Sequence, residues 1–202
     1  MFDPYLRPVK DASLAPLARA VGGAVSPTAI TMVAFAAGLG AALAAYAGMP
    51  LAALALWIVN RILDGLDGAY ARMYRRDSSF GGYLDIVLDF IVYAAIPIGI
   101  AAHARQEALT FAALLLVASF YVNAASWMYL AALLEQRQQG AAVRGEATAV
   151  TMPPGLIGGT ETVAFYIAFF VWPVYQRPLF HVMAALVLLT AIGRLFWAKR
   201  RL

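Results

Sequence analysis

The chain has 202 residues, 63% hydrophobic and 13% charged, with 15 Lys and Arg against 11 Asp and Glu for a net charge of +4; its mean hydropathy is +0.74. A water-soluble domain carries about 45–50% apolar and about 25% charged residues, so a soluble globule is excluded, and so is a disordered chain. The absence of cysteine also excludes disulfide frameworks, thiolate metal sites and cysteine nucleophiles. The expected class is a single all-α integral membrane domain over residues 1–202.

The predicted elements run as follows. Residues 8–23 carry Leu14, Leu17, Ala18 and Val21 at i, i+3, i+4 and i+7, the pattern of an amphipathic helix lying on a membrane surface. A transmembrane helix takes about 20 mostly apolar residues, and six such segments follow, over 28–47, 51–72, 82–103, 108–134, 160–175 and 179–198. They make a six-span core over 28–198. The breaks fall at Gly48 and Pro50, at Gly81 and Gly82, from Pro153 to Gly155, and at Pro178.

Orientation follows from where Lys and Arg lie in the loops. Arg7, Lys10, Arg19, Arg72, Arg75, Arg76, Arg137, Arg144, Lys199, Arg200 and Arg201 fall on one side, and only Arg105 and Arg177 on the other. Both termini and the link between the second and third spans are therefore expected in the cytoplasm. Trp57, Trp127, Trp172 and Trp197 lie towards span ends, as anchors or packing residues. His103 and His181, also near span ends, lack neighbouring carboxylates and read as interface residues. Tyr93, Tyr121, Tyr129 and Tyr166 read as packing. The basic residues are dispersed, so nucleic acid is not an expected partner.

Charges inside spans are costly and mark function or pairing. The second span holds Arg61, Asp64 and Asp67, the third Asp85 and Asp89, the fifth begins with Glu161, and the sixth holds Arg194. Asp64 and Asp67 are spaced i, i+3, and Asp85 and Asp89 i, i+4, so each pair shares one helix face. A short basic link makes the two helices antiparallel neighbours, and the four acids converge near the cytoplasmic end. Arg61 and Arg72 are the nearby cations in sequence, which leaves an excess of negative charge that calls for bound metal. Hard oxygen ligands favour Mg²⁺ or Mn²⁺, and four carboxylates balance two divalent ions, an arrangement that suits phosphoryl transfer. Gly65, Gly68, Ala69, Gly81 and Gly82 leave room for a phosphate or nucleotide near the backbone, or for close helix packing. Arg72, one turn beyond Gly68, presents a fork of donors to a diphosphate. Glu161 is expected to pair with Arg61 or Arg194, the alternative being to bind a cationic acceptor group.

Asp64, Asp67-Gly68, Ala71-Arg72, Gly81, Asp85 and Asp89 fill every fixed position of D-x2-D-G-x2-A-R-x8-G-x3-D-x3-D, a pattern that resembles the signature of the CDP-alcohol phosphotransferases. The resemblance implies a small six-span core, a cytoplasmic site and a homodimer. It implies transfer of a substituted phosphate from a CDP-linked donor, CDP-diacylglycerol in bacterial-type members, to an acceptor alcohol with release of CMP, in a bacterial inner membrane. Asp64, Asp67, Asp85 and Asp89 would hold two divalent cations, Mg²⁺ or Mn²⁺. Asp89 would also take the acceptor's proton, and Gly68, Ala71, Arg72 and Gly81 would line the CDP site. Ser26-Pro27-Thr28 is similar to the usual entry to the family's first span, and Gly158 to Thr162 to a small bacterial branch. Pro97, eight residues past Asp89, is similar to phosphatidylserine synthases. Phosphate-accepting branches place Lys or Arg directly after the fourth Asp, where this chain has Phe90. The implied acceptor therefore lacks a phosphate monoester, although Arg75, Arg76, Arg137 and Arg144 could serve an anionic one. A cation- or proton-coupled transporter using the same buried acids is the alternative. It is disfavoured because the acid pairs occur once, with no internal repeat.

Overall fold

The computed structural model describes residues 3–139 and 155–202; Arg144 and Pro153 lie outside them. Among the described residues all regular structure is helical. In order come α1 (Asp3–Val21), α2 (Pro27–Tyr46), α3 (Pro50–Met73), α4 (Ser79–Ala104), α5 (Glu107–Gln136), α6 (Gly159–Val171), a 3-10 turn (Pro173–Tyr175) and α7 (Gln176–Arg201).

The boundaries have local causes. Ser26 caps α2 by accepting the Ala29 N–H at 3.1 Å, and Pro27 takes the first-turn position where its missing N–H is harmless. The α2–α3 link turns at Gly48, whose φ is +73° and where a Cβ would come within 2.2 Å of the His103 ring. Only glycine meets both demands. His103 Nδ1 lies 3.0 Å from the Tyr46 carbonyl oxygen, which ties the end of α4 to this turn. Gly81 and Gly82 are not breakers. Ser78 caps α4 by accepting the Gly81 N–H at 3.0 Å, and the helix runs through both glycines. The fifth apolar segment stops early: Trp172 is non-helical (φ −123°, ψ 69°) ahead of Pro173, as expected of a residue before proline. Pro178 sits inside the first turn of α7 and does not end it.

Helix α2 packs against both α3 and α4, α5 lies against α7, and α3 also contacts α1 and α6. Their core is aromatic. Trp57 is fully buried and stacks on Tyr166 at 4.7 Å, and Phe169 meets Phe180 edge-on at 4.7 Å; such pairs add specificity to burial. Trp57 is thus a packing residue, whereas Trp172 is exposed. At Gly99, a Cβ would be 2.6 Å from the Ala42 carbonyl oxygen, so glycine sets the close approach of α4 to α2. A second cluster joins α1 to the bundle through Ala18, Ile30, Leu66 and Tyr70. The Tyr70 hydroxyl shares its proton between the Gly22 and Val25 carbonyl oxygens, each 2.7 Å away.

Four helical stretches are long and apolar enough to cross a membrane: Pro27–Tyr46, Ser79–Ala104, Glu107–Gln136 and Pro173–Arg200. Helix α3 carries Arg61, Asp64, Asp67 and Arg72, and α6 has only 13 residues. The exterior is strewn with large apolar side chains, among them Leu43, Leu51, Phe111, Leu195 and Phe196. Exposed apolar surface on this scale belongs to a protein set in lipid.

Candidate active site

Helices α3 and α4 are joined by the short link 74–78 and present their acids to one another and to α2. Asp67, buried, accepts a 2.7 Å hydrogen bond from Thr31 Oγ1 of α2. Asp85 lies side chain to side chain with Asp64, with Asp67 and Asp89 in electrostatic reach of it. Thr31, Ala34, Asn60, Asp64, Asp85 and Asp89 line a narrow cleft between the three helices. The convergence read from the i, i+3 and i, i+4 spacing is what the helices produce.

Asp89 is held differently from its neighbours. Arg61 donates to both of its oxygens, Nη2 to Oδ1 at 2.6 Å and Nη1 to Oδ2 at 3.2 Å. The Tyr93 hydroxyl lies 3.1 Å from Oδ2. Arg61 Nη1 also reaches Tyr93 Oη at 2.9 Å and Asp64 Oδ2 at 3.6 Å. Its Nε donates to Asn60 Oδ1 at 2.7 Å, and the buried Asn60 donates in turn to the Ala34 carbonyl oxygen at 2.8 Å. The guanidinium lies 4.7 Å from the Trp57 ring centre and 5.3 Å from that of Tyr93, within cation–π range.

The CDP-site candidates lie at the same end. Gly68 is overlain by Arg72, whose Nη1 would be 3.2 Å from an added Cβ. Arg72 itself is exposed, while Ala71 and Gly81 are half-buried. Sequence reasoning missed Thr31 and Asn60, which carry no charge and lie on a neighbouring helix or beside an arginine. It read Tyr93 as packing alone; the i, i+4 spacing from Asp89 was the available signal.

Glu161 pairs with neither arginine. Its Oε2 accepts the Gly158 N–H at 2.9 Å, closing the start of α6. Arg61 belongs to Asp89. Arg194 Nη1 donates to Asn123 Oδ1 at 2.9 Å and Ser126 Oγ at 2.6 Å, and its buried Nε has no partner among the described residues. Of the loop arginines, Arg76 donates to the Val25 carbonyl oxygen at 3.1 Å and Arg137 to that of Leu202 at 2.7 Å, so both brace the chain.

The donor set suits a hard divalent cation: carboxylates and a hydroxyl, with the Asp64 and Asp85 side chains next to each other. As they stand, no three acidic or histidine side chains among the described residues are gathered tightly enough to enclose an ion. Asp67 is turned to Thr31 and Asp89 to Arg61.

The CDP-alcohol phosphatidyltransferase family matches over residues 24–197. Inner membrane protein YnjF of Escherichia coli (strain K12) is 35% identical over 173 residues, 85% of this chain and 82% of that one. Archaetidylinositol phosphate synthase of Pyrococcus horikoshii is 28% identical over 179 residues, 88% of this chain and 86% of that one. In fold, the chain is similar to phosphatidylinositol phosphate synthase (PgsA1) of Mycobacterium tuberculosis with CDP-DAG bound, with a TM-score of 0.72, 23% identity and 92% of each chain covered. A second structure of that synthase, in complex with manganese and citrate, gives a TM-score of 0.71 at 20% identity, covering 92% of this chain and 88% of the other. The membrane-set helices, the acid-lined cleft with its signature spacing and these likenesses set the transporter alternative aside: the chain belongs to the CDP-alcohol phosphatidyltransferase family.

Proposed function

We propose that the protein transfers the phosphatidyl group of CDP-diacylglycerol to an acceptor alcohol, releasing CMP, with a divalent cation bound at the acid cluster. The observation that carries the reading is the gathering of Asp64, Asp67, Asp85 and Asp89 on facing turns of α3 and α4. The CDP-DAG and manganese complexes of the similarly folded synthase support the donor and the metal. Asp64, Asp67 and Asp85 would hold the cation, Mg²⁺ or Mn²⁺, whose positive charge offsets that of the diphosphate and steadies the charge developing on the transferring phosphate.

The chain's own residues then do the following. Gly68, Ala71 and Gly81 leave space for the nucleotide, and Arg72 donates to its phosphates. Asp89, fixed by Arg61 and Tyr93, takes the proton from the acceptor hydroxyl through lone pairs that the fork leaves open. The hydroxyl oxygen forms a bond to the phosphatidyl phosphorus as the bond to the bridging diphosphate oxygen breaks, and CMP departs with that electron pair. In this reading α3 and α6 also cross the bilayer, making six spans, with the site and both termini at the cytoplasmic face. Helix α1 lies along the surface, anchored to the bundle through Ala18.

For the acceptor, the apolar Phe90 directly after Asp89 favours a small alcohol without a phosphate monoester. A second reading, an anionic acceptor, is favoured by Arg194, a buried cation whose hydrogen-bond partners among the described residues are the neutral Asn123 and Ser126. The test is to incubate purified protein with CDP-diacylglycerol, Mg²⁺ or Mn²⁺ and one alcohol at a time, following CMP release and the lipid by mass spectrometry. Serine, inositol, glycerol, phosphatidylglycerol, glycerol 3-phosphate and inositol phosphate form the panel. The proposal expects CMP and a new phosphatidyl lipid, abolished by EDTA. No CMP with any acceptor, or full activity after metal removal, overturns it. A preference for the phosphorylated acceptors selects the second reading.

A further inference from the structure

The stretch Gly158 to Thr162 begins α6, and the backbone ahead of it is fastened to α7. Thr190 Oγ1 accepts the N–H groups of Leu156 and Ile157, each at 3.1 Å, and donates to the Leu186 carbonyl oxygen at 2.9 Å. A Cβ at Gly155 would run into Thr190 Cγ2 and lie 3.5 Å from Arg194 Nη2, so the segment also closes over the Arg194 cage. The Gly158 N–H is taken by Glu161 and its carbonyl oxygen by Thr162 Oγ1, each at 2.9 Å. Thr190 is buried within a stretch long and apolar enough to cross a membrane, Pro173–Arg200. Non-helical backbone at that depth persists only when buried in protein or facing water, and here side chains satisfy its polar groups one by one.

The fastened segment ends level with the acid cleft. Helix α6 runs antiparallel to α7, as the Leu156–Thr190 and Phe169–Phe180 contacts require. Helix α7 runs parallel to α5 through the Arg194–Asn123 and Leu202–Arg137 contacts, and α5 turns back on α4 across the tight link at Arg105 and Gln106. Helices α4 and α6 therefore run the same way, tied where the Tyr166 hydroxyl donates to the Tyr93 carbonyl oxygen at 2.6 Å. From that tie, Asp89 lies about 6 Å back along α4 and Glu161 about 7.5 Å back along α6, so the start of α6 is level with the acid assigned to the acceptor's proton. We propose that Thr190 is a positioning residue for the acceptor alcohol: it pins residues 155–158 to α7 and so holds the start of α6 as the wall past which the acceptor reaches Asp89. A shift of about 1 Å in such a wall can cost about 100-fold in rate, and the loss falls on the substrate that the wall orients. This inference rests on the transferase reading of the proposed function.

The test separates acceptor from donor. KM is measured for CDP-diacylglycerol and for each alcohol of the panel that yields CMP, in the wild type, Thr190→Val and Thr190→Ser. Thr190→Val is expected to raise KM for the acceptor about tenfold while KM for the donor stays within about twofold, and Thr190→Ser, which keeps the oxygen, to return the acceptor KM to that of the wild type. The chain has no cysteine, so Leu156→Cys, at an exposed position, reports on the segment independently of turnover. Its modification by a charged methanethiosulfonate should run at least about fivefold faster in the Thr190→Val background and at the original rate in the Thr190→Ser background. Parallel rises in both KM values, a Thr190→Ser that fails to restore the acceptor KM, or equal modification rates in the Val and wild-type backgrounds overturn the inference. If Thr190→Val fails to fold, Gly155→Ala decides, since its Cβ pushes the segment off Thr190: the same split in KM is expected, and an unchanged acceptor KM overturns the inference. CMP release with an unmoved acceptor KM sinks this inference alone, whereas no CMP with any alcohol sinks the transferase reading with it.

Discussion

Arg61 and Arg194 are both withdrawn from solvent, and what surrounds them differs. Arg61, between α3 and α4, meets two carboxylates, an amide oxygen, a phenol and two aromatic faces. Among the described residues, Arg194, on α7 against α5, meets a serine hydroxyl and the side-chain and backbone oxygens of Asn123, and its Nε has no partner. A buried charge is stable only when something answers it. At Arg61 the answer is acidic and supplied by the chain; at Arg194 it is neutral. The difference teaches that the chain concentrates its own charge at the α3–α4 end, where the cleft and the signature residues also lie, and that a lone buried arginine is not by itself a mark of chemistry.

The sharpest way to break this contrast is to remove an acid from the Arg61 end. Asp85→Asn is expected to lower CMP release on the order of 1000-fold, because in the proposed reading it removes a carboxylate that would hold the cation. A drop of less than tenfold, measured at saturating Mg²⁺, would place the chemistry elsewhere. Asp89→Asn probes the acid that Arg61 holds. Turnover should fall about 100-fold, the lower end of what a positioned proton acceptor contributes, while CDP-diacylglycerol binding by isothermal titration stays unchanged. Loss of donor binding in step with turnover would argue against a separate role for Asp89.

Stability separates the two arginines next. Removing one partner of a buried ion pair costs about 3–5 kcal/mol. Since the Arg61 and Asp89 side chains are 11% and 24% exposed, Arg61→Met should cost less, about 2 kcal/mol after screening. Denaturation in detergent should show a clearly lowered midpoint. An unchanged midpoint would mean that Asp89 finds water once the guanidinium is gone.

How much of this was legible in the sequence depends on the range of the contact. Asp64 with Asp67 and Asp85 with Asp89 are local, fixed by helical period, and they converge where the spacing placed them. Arg61 with Asp89 is a contact across 28 positions; it depends on the register of α3 against α4, which no local pattern encodes. Glu161 was legible by another rule. Three residues past Gly158, it sits where a carboxylate closes a helix start, a local role that competes with any distant counter-ion. Helix α6 ends at Val171 because Pro173 interrupts an apolar run that hydropathy alone carries on to Tyr175. Gly81 and Gly82 looked like breakers, yet a serine cap makes the first turn of a helix tolerant of glycine.

The smallest expected effect closes the comparison. In Arg194→Met, a flexible apolar chain replaces a guanidinium that, among the described residues, has no acidic partner and one unsatisfied nitrogen. The change removes the cost of holding a charge out of water, which favours the variant. Against this, it strands part of what Arg194 bonded. Ser126 keeps its hydrogen bond to the Asn123 carbonyl oxygen at 2.8 Å, but Asn123 Oδ1 loses its donor, at about 1 kcal/mol or somewhat more for a group left unsatisfied. The two effects oppose each other, so unfolding stability should stay within about 1 kcal/mol of the wild type. A loss as large as that of Arg61→Met would show that Arg194 is answered as firmly as Arg61 and would erase the contrast. A stable Arg194→Met protein whose KM for a phosphorylated acceptor rises tenfold, with kcat unchanged, would show that its neutral cage exists to receive an anion from outside.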